Sequence, residues 1–385
     1  MLRLPRRRAV WRMTGSLLYL ASLSAAPKYV IAEELVHTAL IGLSMPLATP
    51  RGQALRDAVQ QGIDDANKRN LIINGKRTVF KLFAVDDKND NNLAALAARS
   101  MVNAGVIGVI GHLSTDASLI GAKIYNEAGI PQISPTTTAR VFTQQGYRNV
   151  FQLLGHTDIT TEYLAQSALS LLKAKRIMVI DNDTGLGNAL ANAFMKKLHA
   201  KSMDVVARAS ISQKTSDFNL ILAKAKAADA DLIFFAAIVP QSLAFAQRMQ
   251  QQNISTPLLL AGGAVNYNFP GSSDEYGNNT WILVHGLPEE KLPGFKNLEK
   301  NYATRFTTKL IPQSLFAYDC VGVLVDAARQ ADSLSPGKLI EALHKLHFAG
   351  VSGPVSFDAE GSLNDPSYSL YQVRQKRWQF VKTFP

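Results

Sequence analysis

Cysteine is nearly missing from this chain: Cys320 is the only one in 385 residues. No internal disulfide is available to it. A chain of this length buries enough apolar surface to fold without such staples, inside or outside the cell. The patterns that carry most enzyme and cofactor chemistry are also missing. GLGNAL at 185–190 begins like a dinucleotide fingerprint, but Leu190 stands where the third glycine is needed. There is no phosphate loop and no G-x-S-x-G elbow. The histidines (His37, His112, His156, His199, His285, His344, His347) form neither His-x-x-x-His nor HExxH. His344 and His347 lack an acidic partner for a metal, so the histidines read as surface or packing residues. The Asp86-Asp87 pair reads as a solvated loop or cap. These gaps favour binding over catalysis, with no metal or cofactor expected.

Basic residues are in excess, with 41 Lys and Arg against 30 Asp and Glu and a formal charge of +11. Much of that excess sits at one end. Residues 1–32 carry Arg3, Arg6, Arg7, Arg8, Arg12 and Lys28 and no acid. The apolar run GSLLYLASLSAA follows the arginines, then Val30-Ile31-Ala32 before Glu33-Glu34. That order reads as a secretory signal peptide cleaved near Ala32. The run is short for a membrane span, and no cysteine follows it to carry a lipid. More than half of the formal charge therefore leaves with the signal. No later Lys/Arg cluster with interleaved aromatics suggests nucleic acid. The expected location is the periplasm.

From Leu35 onward, short apolar runs alternate with amphipathic segments. Strands are predicted over 36–43, 77–87, 106–111 and 130–134, with helices over 52–69, 91–105 and 115–128. The theme restarts after about residue 155. Helices are predicted over 160–174, 187–200, 218–228 and 240–252, and strands over 175–181, 204–211, 231–238 and 256–262. Such alternation predicts α/β architecture: two Rossmann-like lobes with parallel central sheets. The remaining residues carry helical patterns near 294–308, 314–331 and 336–346, then SYSLYQVRQKRWQFV, an alternating strand or hairpin. That tail is too short for a third unit and is expected to complete both lobes through a hinge of several strands. Lobe 1 is read as 33–155 plus about 286–350, and lobe 2 as 156–285 plus about 351–385.

Ligands of open α/β sheets sit beyond the carboxyl ends of the strands. After the strand at 106–111 comes GHLSTDAS, where Ser114 or Thr115 can cap the next helix. The first turn of that helix offers unpaired N–H groups and a positive dipole end, suited to a carboxylate. An ordinary helix cap is the plainer reading. After 130–134 comes SPTTTAR. Thr136, Thr137 and Thr138 place hydroxyls at the same edge, where they are either loop filler or the wall of a site.

These residues resemble the leucine/isoleucine/valine-binding protein family, type I periplasmic substrate-binding proteins of ABC transporters. The sharpest likeness is VIGHLSTDASLIGAKIYNEAGIPQISPTTTARVFTQQGYRNVFQLLG (109–155), and SGPVSFDAEGSLNDPSYSLYQV (352–373) resembles the family's C-terminal element. The resemblance implies a monomeric, non-enzymatic solute-binding protein that closes on a small carboxylate, an amino acid or amino-acid-like acid. Its partner would be an inner-membrane permease. A ligand-sensing module of the same fold, or a binder of a non-amino carboxylate or amide, is the alternative. By the resemblance, Thr115 and Thr138 hold the carboxylate through hydroxyl and N–H. Thr136 offers its carbonyl to an ammonium group, and Thr137 is turned away. Ser114 stands where the amino-acid binders often have a cysteine, and Asn89 at its partner position, so that disulfide is absent. The first-loop aromatic position falls on Arg51, the second-lobe aromatic positions on Leu186 and Ile238, and the ammonium-pairing acid on Gly263. Asp181 or Asp183 is a substitute for that acid.

Overall fold

The computed structural model describes residues 36–385 except 213, 265–268, 271–272 and 274–275. The signal read over residues 1–32 lies outside the described residues. The described residues from Val36 to Pro385 form one compact unit built on two large sheets.

The first sheet is assembled from a contiguous stretch. It runs β1 (His37–Met45), α1 (Pro50–Lys68), β2 (Ile72–Ile73), β3 (Lys76–Asp86), α2 (Asn91–Ala104), β4 (Gly108–Gly111), α3 (Thr115–Glu127), β5 (Gln132–Ser134) and β6 (Val150–Gln152). The strand order is β2-β3-β1-β4-β5-β6, parallel except for the short β2. Strand β1 is central, and Ile41, Leu43 and Met45 are fully buried, as expected for a strand covered on both faces. Helix α1 starts where the Thr49 hydroxyl accepts from Gly52 N–H, with Pro50 in its first turn. Its Ala54, Leu55, Ala58, Val59, Ile63 and Ala66 repeat at helical spacing and are buried. Helix α2 stops at Gly105, whose φ of 68° lies in the left-handed region that favours glycine.

The second sheet repeats the plan. It follows α4 (Thr157–Gln166), β7 (Ile177–Asp181), α5 (Gly185–His199), β8 (Ala207–Ser210), α6 (Asn219–Ala227), β9 (Leu232–Ala236), α7 (Gln241–Gln251), β10 (Leu258–Ala261) and β11 (Thr280–His285). Helix α4 is shorter than its apolar pattern, because the chain widens into a π turn at Ser167–Leu171. Strands β6 and β11 were not legible as strands in the sequence.

The tail supplies α8 (Phe295–Ala303), α9 (Pro312–Gln330), α10 (Pro336–Leu343), β12 (Phe348–Ala349), β13 (Pro354–Val355), β14 (Tyr368–Arg374) and β15 (Arg377–Phe384). It serves both sheets. Ala317, Cys320, Val321 and Leu324 of α9 pack with β1 and α1 in the first core. Strands β14 and β15 join the second sheet antiparallel, giving β15-β14-β11-β10-β9-β7-β8. Cys320 is a buried free thiol whose burial pushes its pKa up.

The chain thus passes from one core to the other after β6, after β11 and again between β13 and β14. These passages are bonded to one another. His285 Nε2 lies 3.2 Å from Gly155 O, and Thr160 Oγ1 lies 3.1 Å from the Tyr368 hydroxyl. Asp319 of α9 accepts from Val351 N–H (3.0 Å) and Ser352 N–H (2.7 Å), and burial still raises its pKa to about 6. Burial lowers the His285 pKa to about 4, opposed in part by its bond to Gly155. The folded state therefore holds His285 neutral, while the unfolded chain binds its proton near 6.5. Its stabilising contribution is complete above that upper value and is lost as pH falls toward about 4. Melting temperatures of wild type and His285→Asn, measured between pH 4 and 7, should converge on acidification. The change is worth on the order of 3 kcal/mol, and a constant gap would refute it.

Candidate functional site

The ends of β1, β4 and β5 bring three loops to one edge of the first sheet. After β4, Ser114 is the residue that caps α3, its hydroxyl accepting from Ala117 N–H at 3.3 Å. The cap leaves the first-turn N–H groups of Thr115 and Asp116 for another acceptor. Thr115 itself is half-buried at the first helical position.

After β5 the three threonines have three different settings. The Thr136 hydroxyl donates inward to Leu113 O at 2.9 Å, with His112 O at 3.2 Å. That side chain fastens the two loops together. Thr137 is buried; its hydroxyl pairs with Ser118 Oγ at 2.9 Å and its carbonyl accepts from Gln152 Nε2 at 2.6 Å. It belongs to the framework. The Thr138 carbonyl accepts from Thr157 N–H (2.8 Å) and Thr157 Oγ1 (2.9 Å). Its own hydroxyl and N–H have no internal partner among the described residues. Arg51 lies in the first turn of α1, half-buried, with its loop one strand over from α3.

A buried polar chain lies behind these loops. Asp87, just beyond β3, accepts from Ser44 Oγ (3.0 Å) and Asn89 N–H (3.0 Å), and Asp87 Oδ2 lies 2.8 Å from His112 Nδ1. His112 Nε2 lies 3.2 Å from the Tyr125 hydroxyl. Burial alone would raise the Asp87 pKa, but the bonds from His112, Asn89 and Ser44 carry it below the usual carboxylate value. Gly121 makes room for this ring, since a Cβ there would stand 2.6 Å from His112 Nε2. The expectation of a solvated Asp86-Asp87 pair is therefore corrected at Asp87, which is buried, while His112 is a packing histidine of the interior. Both follow strands that flank β1, and that sheet order was the signal available for pairing them.

The second sheet presents its own strand ends. After β7, Thr184 caps α5 by accepting from Gly187 N–H at 2.9 Å, and Leu186 stands half-buried in the first turn. Asp181 is fully buried and committed: it accepts from Ser210 Oγ (2.7 Å) and Arg208 Nη2 (3.1 Å). Asp183 is exposed and accepts from Asn188 Nδ2 at 3.1 Å. Ile238 follows β9, and Gly263 lies in the short turn Gly262–Ala264 after β10. These two residues touch. Gly263 O accepts from Val239 N–H at 3.3 Å, and a Cβ at Gly263 would stand 2.6 Å from Ile238 Cγ2.

The two sets of strand ends meet at the starts of α3 and α5, where a Cβ on Gly185 would stand 3.8 Å from Asp116 Oδ1. The Thr136 hydroxyl ties the loop after β5 to the loop that leads into Ser114 and Thr115. Ile238 and Gly263 adjoin each other on the second sheet. No group of His, Cys, Asp and Glu suited to a metal is present among the described residues, and none of their helices is long and apolar enough to cross a membrane.

The family model for periplasmic binding proteins matches residues 39–377. The Leu/Ile/Val-binding protein BraC3 of Rhizobium johnstonii is 26% identical over 361 residues, covering 91% of this chain and 94% of its own. Among solved structures, the leucine binding protein LivK of Thermotoga maritima superposes with a TM-score of 0.78 at 22% identity, over 90% of this chain and 98% of its own. A solute binding protein from R. palustris in complex with benzoate also reaches 0.78, at 16% identity over 90% and 96% of the two chains.

Proposed function

We infer the function from one premise: the chain belongs to the periplasmic binding protein family. It is a substrate-binding protein of the ABC-transporter type and not an enzyme. Its ligand is a small carboxylate, an amino acid or amino-acid-like acid. The observation that carries this reading is the pairing of Thr138, with hydroxyl and N–H uncommitted, and the open first turn of α3 at Thr115. Charge-assisted hydrogen bonds from such groups suit a carboxylate. The Thr136 carbonyl is a further acceptor at the same edge, and Arg51 adds positive charge one loop away. Leu186, Ile238 and Gly263 form the opposing wall, with Asp183 at its outer rim and Ser114 supporting the α3 turn. The relatives named for leucine, isoleucine and valine, and the one holding benzoate, all take small carboxylates.

The mechanism is hinge closure. Lobe 1 (33–155 and about 286–350, its core also taking in Val355 and Phe357) captures the acid; lobe 2 (156–285 and the chain end from about Tyr368) closes over it. A ligand that contacts both lobes shifts the population toward the closed form by its preference for that form. The leader is removed near Ala32, and the monomer delivers its ligand to an inner-membrane permease. A thermal-shift screen of the mature chain against amino acids, keto acids, aromatic acids and amides tests this. A carboxylate is expected to raise the melting temperature; stabilisation by amides alone, or by no acid, would refute the reading.

A further inference from the structure

We infer that the protein has a second binding site, for a small organic cation, in a cavity walled by α8 and the start of α9. The cavity measures about 650 Å³, a size usual for small-molecule sites. No residue of the Thr115–Thr138 edge lines it. Its walls come from both cores: Tyr302 and Ile311 belong to the first, and Phe269 to the second. Ligand pockets form preferentially at such junctions.

Two features of the lining set the class of ligand. The first is aromatic. The rings of Phe269, Phe295, Tyr302 and Phe306 line the cavity beside aliphatic Leu310 and Leu315. Aromatic faces attract cations through their quadrupole, and Phe306 already does so, with Arg305 Cζ 5.4 Å from its ring centre. The second feature is acidic, because Glu289 and Glu299 line the same cavity. Burial, then Glu299 and Glu290, raise the Glu289 pKa to about 7, and no cation among the described residues opposes them. A half-buried carboxylate pressed by two others carries a cost that a bound cation removes. The protein's own cations are placed otherwise. Arg305 pairs with Asp64, Lys291 sits over the Phe380 ring at 5.2 Å, and Lys309, on the lining, is itself engaged. Lys296 and Lys300 are exposed on α8 and off the lining. A primary or quaternary ammonium on a short apolar body matches this cavity, charge to Glu289 and Glu299, body to the rings.

Calorimetric titration of the mature chain decides the matter, at about pH 8, above the raised Glu289 value. The probes are phenethylammonium, benzyltrimethylammonium and, as the neutral match, 3-phenylpropan-1-ol. Both cations are expected to bind saturably, about tenfold tighter than the alcohol or more. Glu289→Gln and the exposed Glu299→Gln should each lower cation affinity about tenfold. Neither should lower the melting temperature, since each removes a crowded charge, so the loss is one of binding and not of fold. Alcohol binding as tight as that of the cations overturns the inference, as does cation affinity unchanged in either variant. Binding of neither cation overturns it as well.

Discussion

Thr138→Ala is expected to weaken ligand binding about ten- to a hundredfold, and Thr115→Ala by a similar factor. A hydrogen bond to a charged group contributes on the order of 1.5–3 kcal/mol, which sets that range. The effect should fall on affinity and not on the fold, because the Thr138 side chain bonds nothing among the described residues, while its carbonyl, which alanine keeps, holds Thr157. Thr137→Val supplies the contrast. Its hydroxyl is buried against Ser118, so removal should lower the melting temperature and leave affinity nearly unchanged. Calorimetric titration and thermal melting of the three variants separate the two behaviours. Normal binding by both Thr115→Ala and Thr138→Ala would displace the site from this edge.

The largest expected loss of stability comes from His112→Ala. His112 and Asp87 are both buried, at 0% and 1% exposure, which leaves the carboxylate no route to solvent when the imidazole is removed. Taking one partner from a buried pair of this kind typically costs about 3–5 kcal/mol. The Ser44 hydroxyl and Asn89 N–H remain on Asp87 and keep the cost toward the lower end. Urea unfolding of wild type, His112→Ala and the paired Asp87→Asn/His112→Ala variant measures it. The paired variant should recover part of the loss, since an uncharged amide is easier to bury than an unpaired carboxylate. A loss under about 1 kcal/mol for His112→Ala would mean that the pair does not carry the loops. The depressed Asp87 pKa also has a sign: its stabilisation is present above the ordinary carboxylate range and is lost as pH falls through the lowered folded value.

Much of this was readable from sequence because the informative residues are local. A hydroxyl three residues past a strand, followed by a helical pattern, marks Ser114 and Thr115 without any knowledge of the sheet order. The differing settings of Thr136, Thr137 and Thr138 were carried by resemblance alone, since three identical side chains give periodicity nothing to distinguish. Their distinction lies in partners far along the chain, Leu113, Ser118 and Thr157. The Asp87–His112 pair was missed for the same reason. It is created by β3 and β4 flanking β1, a neighbour relation that alternation of strands and helices leaves open. Strand β11 escaped because TWILVH stands apart from the strand–helix rhythm and finds an antiparallel partner in residues 368–372. The conflict between Gly263 and Ile238 needed coordinates, because it is a matter of space.

The shared tail bears on the order in which the chain can become solid. The core around β1 and α1 is finished by residues as late as Val355 and Phe357, and the core around α4 and α5 by Tyr368, Leu370 and Phe384. Neither half can complete its apolar interior while the chain is still emerging, and long-range pairings such as Ile282 with Tyr371 close late. The weave that joins the two halves of the finished molecule also works as a timer on its folding.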